Sequence, residues 1–313
     1  MLEPQILCKW PINFLQKNLY GICTGDLIVV GCGSGGGKSV ISRLITMEAS
    51  KTDCPVVLYS LENQEGTVAT ELARDAYLRD TKDYNVNLRQ FAIQAAQDKK
   101  GFEKYRRIAY ANASKKTADG KPMTVIHEKV ATHDWNIQRI TASMMEEINN
   151  GYRLFIIDHL DVLAPNDEYK ETRTAMNELW ALVAKYNIAL VTFSQLNKNC
   201  TALCPSQTDL RGGMNKVFKA THVITLGRHE YGVYGPPLAY PNAKPTYVRI
   251  VKSRDTQLAA AICYFNGNYY LEEDIPVLCD EPGMYIDGYS RTALQQKQAE
   301  QLHPRKSNQG ANK

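Results

Sequence analysis

The segment Cys32-Gly33-Ser34-Gly35-Gly36-Gly37-Lys38-Ser39 constrains this chain more than any other. Glycines let successive backbone N–H groups converge on phosphate oxygens, a lysine reaches the outer phosphates, and a serine hydroxyl takes a magnesium ion. Leu27-Ile28-Val29-Val30 delivers an apolar run, as in a strand buried on both faces of a parallel sheet. After the loop, Ile41, Leu44 and Ile45 fall on one helical face. Strand, glycine loop and helix in this order read as a phosphate-binding loop. Gly33, Ser34, Gly35, Gly36, Gly37, Lys38, Ser39 and Val40 would then surround a nucleotide, with Ser39 on Mg2+. The usual pattern has glycine six residues before the lysine, where this chain has Cys32. Neighbouring glycines keep the loop flexible, so the departure is small.

Strands and helices continue to alternate. Val56-Val57-Leu58-Tyr59 reads as the next strand, and Val68, Ala69, Leu72, Ala73, Ala76 and Tyr77 mark a helix. Residues 80–122 are polar and mostly helical in pattern, and Met123–Ile126 suits a strand. Asp134 is placed to cap a helix that carries Ile137, Ile140, Met144 and Ile148 inward. Leu154-Phe155-Ile156-Ile157-Asp158 is an apolar strand ending on an acid. A helix with Met176, Leu179, Trp180, Val183 and Tyr186 leads to the strand Ala189–Phe193. Beyond residue 220 the pattern becomes strand-rich: His222–Leu226, Tyr247–Val251 and Ala261–Phe265, with Asn266-Gly267 turning the chain into Tyr269-Tyr270-Leu271. The expected fold is α/β, a mostly parallel central sheet flanked by helices and extended by C-terminal β-hairpins. Residues 1–24 read as a lead-in, 25–290 as one domain, and 291–313 as a polar tail whose composition predicts disorder.

With 313 residues there is room for a large core. No apolar run reaches the roughly 20 residues of a membrane span, and the first residues lack the layout of a signal peptide; a cytoplasmic protein is the expectation. The formal charge of +4 permits an anionic partner without demanding one. The eight cysteines are scattered without zinc spacing and read as thiols in a reducing compartment.

Three further positions suit phosphoryl chemistry. Asp158, ending its strand, is placed to reach the magnesium ion. Glu62 follows the strand after the loop helix, at the C-terminal edge of a parallel sheet, where a carboxylate can act on the attacking water. Gln195 follows the strand Ala189–Phe193 at the same edge, and its amide can hydrogen-bond the γ-phosphate or the water. Lys252 and Arg254, two apart on a strand ending, can point the same way.

These residues, in this order, resemble the RecA-like motor of replicative ring helicases: the helicase half of podophage primase-helicases, mitochondrial Twinkle and, more distantly, DnaB. The likeness runs from about Gly21 to Glu273. It rests on Gly25–Val30 before the loop, Tyr59-Ser60-Leu61-Glu62, Ile156-Ile157-Asp158-His159-Leu160, Ser194-Gln195-Leu196-Asn197, Asp209-Leu210-Arg211-Gly212 and Val248–Arg254. The resemblance implies Glu62 as catalytic carboxylate, Gln195 as γ-phosphate sensor, and Lys252 with Arg254 reaching a neighbouring subunit's nucleotide, Arg254 as the arginine finger. Arg228 and Phe265, with Tyr264 as an alternative, match positions that sandwich the base. Lys198, Arg211, Gly212 and Lys216 match loops that hold single-stranded DNA. The implied protein is an ATP- or dTTP-driven 5′→3′ translocase, a homo-oligomeric ring (a hexamer by analogy), with Mg2+ and with primase, polymerase or loader as further partners. No primase or zinc-binding domain precedes the motor, which suits a phage, plasmid or other mobile element. The alternative is a RecA- or KaiC-like ring that binds DNA or a partner as a nucleotide switch without unwinding.

Overall fold

The computed structural model describes residues 3–64, 66–114, 117, 119–129, 135–163, 168–200, 204–228, 243–267 and 270–277. In chain order the elements begin with β1 (Ile6–Cys8), α1 (Asn13–Leu19), β2 (Ile22–Cys23), β3 (Leu27–Cys32), α2 (Lys38–Lys51), β4 (Val56–Gln64) and α3 (Thr67–Thr81). Next come α4 (Leu88–Gln97), α5 (Lys99–Ser114), β5 (Thr124–Lys129), α6 (Ile137–Asn149), β6 (Leu154–Asp158), α7 (Glu168–Tyr186) and β7 (Ala189–Gln195). The last are α8 (Met214–Lys219), β8 (His222–Arg228), β9 (Lys244–Ser253), β10 (Ala259–Phe265) and β11 (Tyr270–Val277).

Among the described residues the main sheet has the order β11-β10-β9-β8-β3-β7-β6-β4-β5. The strands from β8 to β5 pair in parallel, while β9, β10 and β11 are added antiparallel. This is the expected fold. The apolar run of β3 explains its central place: Ile28, Val30 and Cys32 join the core with α1, α2 and α3, while Leu27 and Val29 join the core with α6 and α7. Each such side chain, removed from water, contributes about 1.5–3 kcal/mol. Gly31 has no side chain because a Cβ there would lie 2.1 Å from Leu210 Cδ2.

Within the lead-in 1–24, Cys8, Trp10, Ile12, Leu15, Leu19 and Ile22 are buried in the same core as the loop helix α2. The indole N–H of Trp10 donates to the Gly21 carbonyl at 3.2 Å. Helix α6 is capped by Asn136, whose side chain accepts the Arg139 N–H, and Asp134 lies outside the described residues. The segment after Gly213, read as loop, forms the short helix α8. The polar tail 291–313 also lies outside the described residues.

Candidate nucleotide site

The parallel register brings the predicted residues to one edge. Cys32, the last residue of β3, stands beside Gln195 at the end of β7, and Ser60 of β4 stands beside Asp158 at the end of β6. The glycine loop leaves β3 there and enters α2 through Gly37, whose φ of 91° is costly for any residue with a Cβ. A cleft of about 270 Å³ opens above, lined by the loop from Ser34 to Val40 together with Arg43, Glu62, Gln195, Phe265 and Gly267. Phe265, rather than Tyr264, reaches this cleft. Arg228 ends β8, but its side chain lies outside the described residues.

Within the loop, the Lys38 ammonium donates to the carbonyls of Cys32 and Gly33, each at 3.3 Å. Lys38 is buried, but its polar contacts are with the loop rather than the core. Cys32, in place of the usual glycine, packs its sulfur against Gly36: a Cβ on Gly36 would come within 1.8 Å of Sγ.

Asp158 is buried, and the Ser42 hydroxyl donates to it at 3.3 Å. Burial pushes its carboxyl above the ordinary range, against the opposing pull of Ser39, His159, Lys38 and Arg43. A divalent cation would reverse that shift, and a serine hydroxyl with a carboxylate is the hard oxygen pair that Mg2+ accepts alongside phosphate oxygens. The donor set therefore fits magnesium.

Glu62 remains 61 % exposed and meets His159 Nε2 through Oε1 at 3.0 Å. Gln195 Nε2 lies 3.5 Å from the same ring nitrogen. Behind His159, Nδ1 stands 3.3 Å from Asp161 Oδ2, within ion-pair reach but off the line of a good hydrogen bond. Burial lowers the imidazole pKa, yet the Asp161 and Glu62 carboxylates together hold it above its ordinary value. Sequence reasoning gave no role to His159 or Asp161, although they stand one and three residues after the strand-ending Asp158. It also passed over Arg43, which pairs with Glu71 and Asp75 at 2.8 Å each and fixes α2 to α3 beneath the cleft. The acids' i, i+4 spacing on α3 was the available signal.

The remaining candidates stand apart. Lys198 is exposed in the loop after β7. The Arg211 N–H donates to the Gln195 carbonyl at 2.8 Å, and Leu196 bridges to Leu210, so the loop 209–213 is tied to the end of β7. Lys216 is a correction: it is fully buried, its ammonium 2.5 Å from Asp161 Oδ1 and 2.7 Å from Ser194 Oγ, and it offers no charge to a nucleic acid. Lys252 and Arg254 lie toward the opposite end of the sheet, where Val223 pairs with Lys252 and His222 with Ser253. The Lys252 ammonium donates to the Val217 carbonyl at 2.6 Å, and Arg254 lies over the Trp180 ring at 5.2 Å.

The family model of the DnaB-like helicase C-terminal domain matches residues 11–273. Among solved structures, the chain is similar to an ATPase domain, at 17% identity with a TM-score of 0.66, covering 86% of this chain and 93% of that one. It is similar in the same measure, 17% and 0.66, to a DnaB-like replicative helicase whose interactions with primase were studied. That match covers 86% of this chain but only 63% of the other, so this chain spans less than two thirds of its length. No curated protein matches. No helix among the described residues is long and apolar enough to cross a membrane.

Proposed function

The chain belongs to the DnaB-like helicase C-terminal domain family, and from that premise we propose that it hydrolyses ATP or dTTP to move single-stranded DNA through a ring of its own copies. The observation that carries the reading is the convergence of the glycine loop, Glu62 and Gln195 around one cleft, with Asp158 at the same sheet edge and hydrogen-bonded to Ser42 of α2.

In this reading the loop N–H groups and Lys38 hold the phosphates, with the ammonium exchanging the Cys32 and Gly33 carbonyls for phosphate oxygens. Magnesium, held by Ser39 and Asp158, would neutralise charge on the outer phosphates. Glu62 takes a proton from water as its oxygen attacks the γ-phosphorus, and the bond to the bridging oxygen of the departing diphosphate breaks. The exposure of Glu62 supports this role, because a water can reach it; His159 orients the carboxylate. Gln195 senses the γ-phosphate, and Phe265 packs on the base. A neighbouring subunit supplies Arg254 and Lys252. Lys198 and Arg211, with N–H groups near Gly212, hold the DNA backbone. The 5′→3′ direction follows from the family resemblance, as do a hexameric ring and partners such as a primase, polymerase or loader.

The test is turnover by Lys38→Ala, which should be lost while the fold survives, since the ammonium's hydrogen bonds are to the loop carbonyls of Cys32 and Gly33. A folded Lys38→Ala protein that hydrolyses nucleotide at the wild-type rate would end the reading.

A further inference from the structure

A lysine buried on a six-residue helix is expensive, and a leucine or methionine would fill the same space without a charge to desolvate. Lys216 nevertheless places its ammonium against Asp161 Oδ1 at 2.5 Å and Ser194 Oγ at 2.7 Å. The other oxygen of Asp161 accepts the backbone N–H of Gln195 at 2.7 Å and stands 3.3 Å from His159 Nδ1. Thus one carboxylate, anchored by Lys216, hydrogen-bonds the Gln195 backbone and lies within ion-pair reach of the imidazole that faces Glu62. On its other side, Lys216 supports the loop. The Lys216 backbone N–H donates to the Gly213 carbonyl at 3.3 Å, and a Cβ on Gly212 (φ 75°) would rest 3.2 Å from Thr172 Oγ1 and in ordinary contact with Lys216 Cε and Nζ. The Arg211 N–H holds the Gln195 carbonyl, so Gln195 is gripped from the loop side and from the Asp161 side together.

Resting on the motor reading above, we propose that Lys216 is a positioning residue that couples the loop 209–213 to Gln195 and His159, so that single-stranded DNA on the loop sets the rate of hydrolysis. A shift of Gly212 moves the ammonium, the ammonium moves Asp161, and Asp161 moves the Gln195 amide and the imidazole beside Glu62. Where DNA on the loop changes nucleotide affinity, linkage requires nucleotide to change DNA affinity by that same factor, whereas the effect on rate carries no such symmetry.

The test compares the full chain with Lys216→Met/Asp161→Asn, which removes both charges and leaves no buried ion alone. The readouts are turnover with and without poly(dT), the KM for nucleotide, and poly(dT) affinity with and without a non-hydrolysable nucleotide. The expected result is a folded double variant with KM within about twofold of wild type. Its DNA stimulation of turnover should fall toward one. Its poly(dT) affinity should no longer respond to nucleotide. Ser194→Ala, which removes one ammonium contact and keeps the ion pair, serves if the double variant fails to fold; it should lower stimulation several-fold at unchanged KM. A pin that merely holds the fold together predicts full stimulation in both folded variants, and that result overturns the proposal alone. A wild-type protein whose hydrolysis ignores DNA overturns the motor reading beneath it.

Discussion

At the scale of single residues, the phosphate loop is closed around its own atoms. The Lys38 ammonium rests on two loop carbonyls, Gly36 donates its N–H to the Gly33 carbonyl at 3.0 Å, and the Cys32 sulfur fills the space beside Gly36. Cys32 is therefore tolerated only because Gly36 has no side chain. Gly36→Ala should raise the Kd for nucleotide by about 100-fold, equivalent to about 2.7 kcal/mol, with little change in the far-ultraviolet spectrum. Cys32→Gly in the same protein should recover part of that loss by removing the sulfur, though not all, because the Gly33 carbonyl would still lie 2.9 Å from the new methyl group. Nucleotide titration by calorimetry reads both, and wild-type affinity in the single variant would mean that the loop opens away from Cys32 when it binds. Most of this loop could be read from residue types alone, since glycines, lysine and serine at fixed spacing have a direct chemical meaning. The buried pairing of Lys216 was invisible for the opposite reason. A lysine in a Gly- and Lys-rich segment looks like a solvated cation until the fold encloses it.

Elements show the same division. Strands β3, β6 and β7 were legible because a parallel strand buried on both faces must be apolar throughout, and few other elements need such runs. Glu62 and Gln195 were placed at the cleft by one rule, that ligands bind at the carboxyl ends of parallel strands. The packing of the lead-in was not legible because its apolar residues follow neither helical nor strand period for long enough. Leu15 and Leu19 belong to a helix of seven residues, and Trp10 and Ile12 stand on irregular backbone before it. Their burial comes from contact with α2 and β3, which no local pattern reports. A dispensable lead-in and an integral one differ in a measurable way. Trp10 is 4 % exposed, and Trp10→Ala should cost about 3–5 kcal/mol of unfolding free energy, the range for truncating a buried aromatic. Urea unfolding provides the measurement, and a midpoint within error of wild type would show that the segment only rests on the surface. Because Trp10 shares a core with α2, the same variant should weaken nucleotide binding in proportion to its loss of order.

At the scale of the whole molecule, the sheet separates Lys252 and Arg254 from the cleft of their own chain, which supports the proposal that they serve another copy. Lys252 and Arg254 end β9 beside His222 and Val223 at the start of β8, whereas Leu226 is the residue level with Cys32 at the mouth of the loop. Four residues of strand, at about 3.3 Å each, put the pair about 13 Å below the cleft of its own chain before the glycine loop adds further distance. Within the chain, their contacts are carbonyls at the end of α8 and the face of Trp180. On the proposed reading, an arginine so placed serves another copy. Arg254→Ala should leave nucleotide binding intact and lower turnover by about 10³ to 10⁵, while wild-type specific activity should rise with protein concentration as copies assemble. Mixing tests the geometry directly. Arg254→Ala subunits retain Lys38 and Glu62, and Lys38→Ala subunits retain Arg254. Where the two adjoin in the right order, an intact near side meets an intact finger, and hydrolysis absent from either protein should return. If light scattering shows mixed assemblies and no hydrolysis appears, Arg254 acts within its own chain, as a clasp on α8 and Trp180.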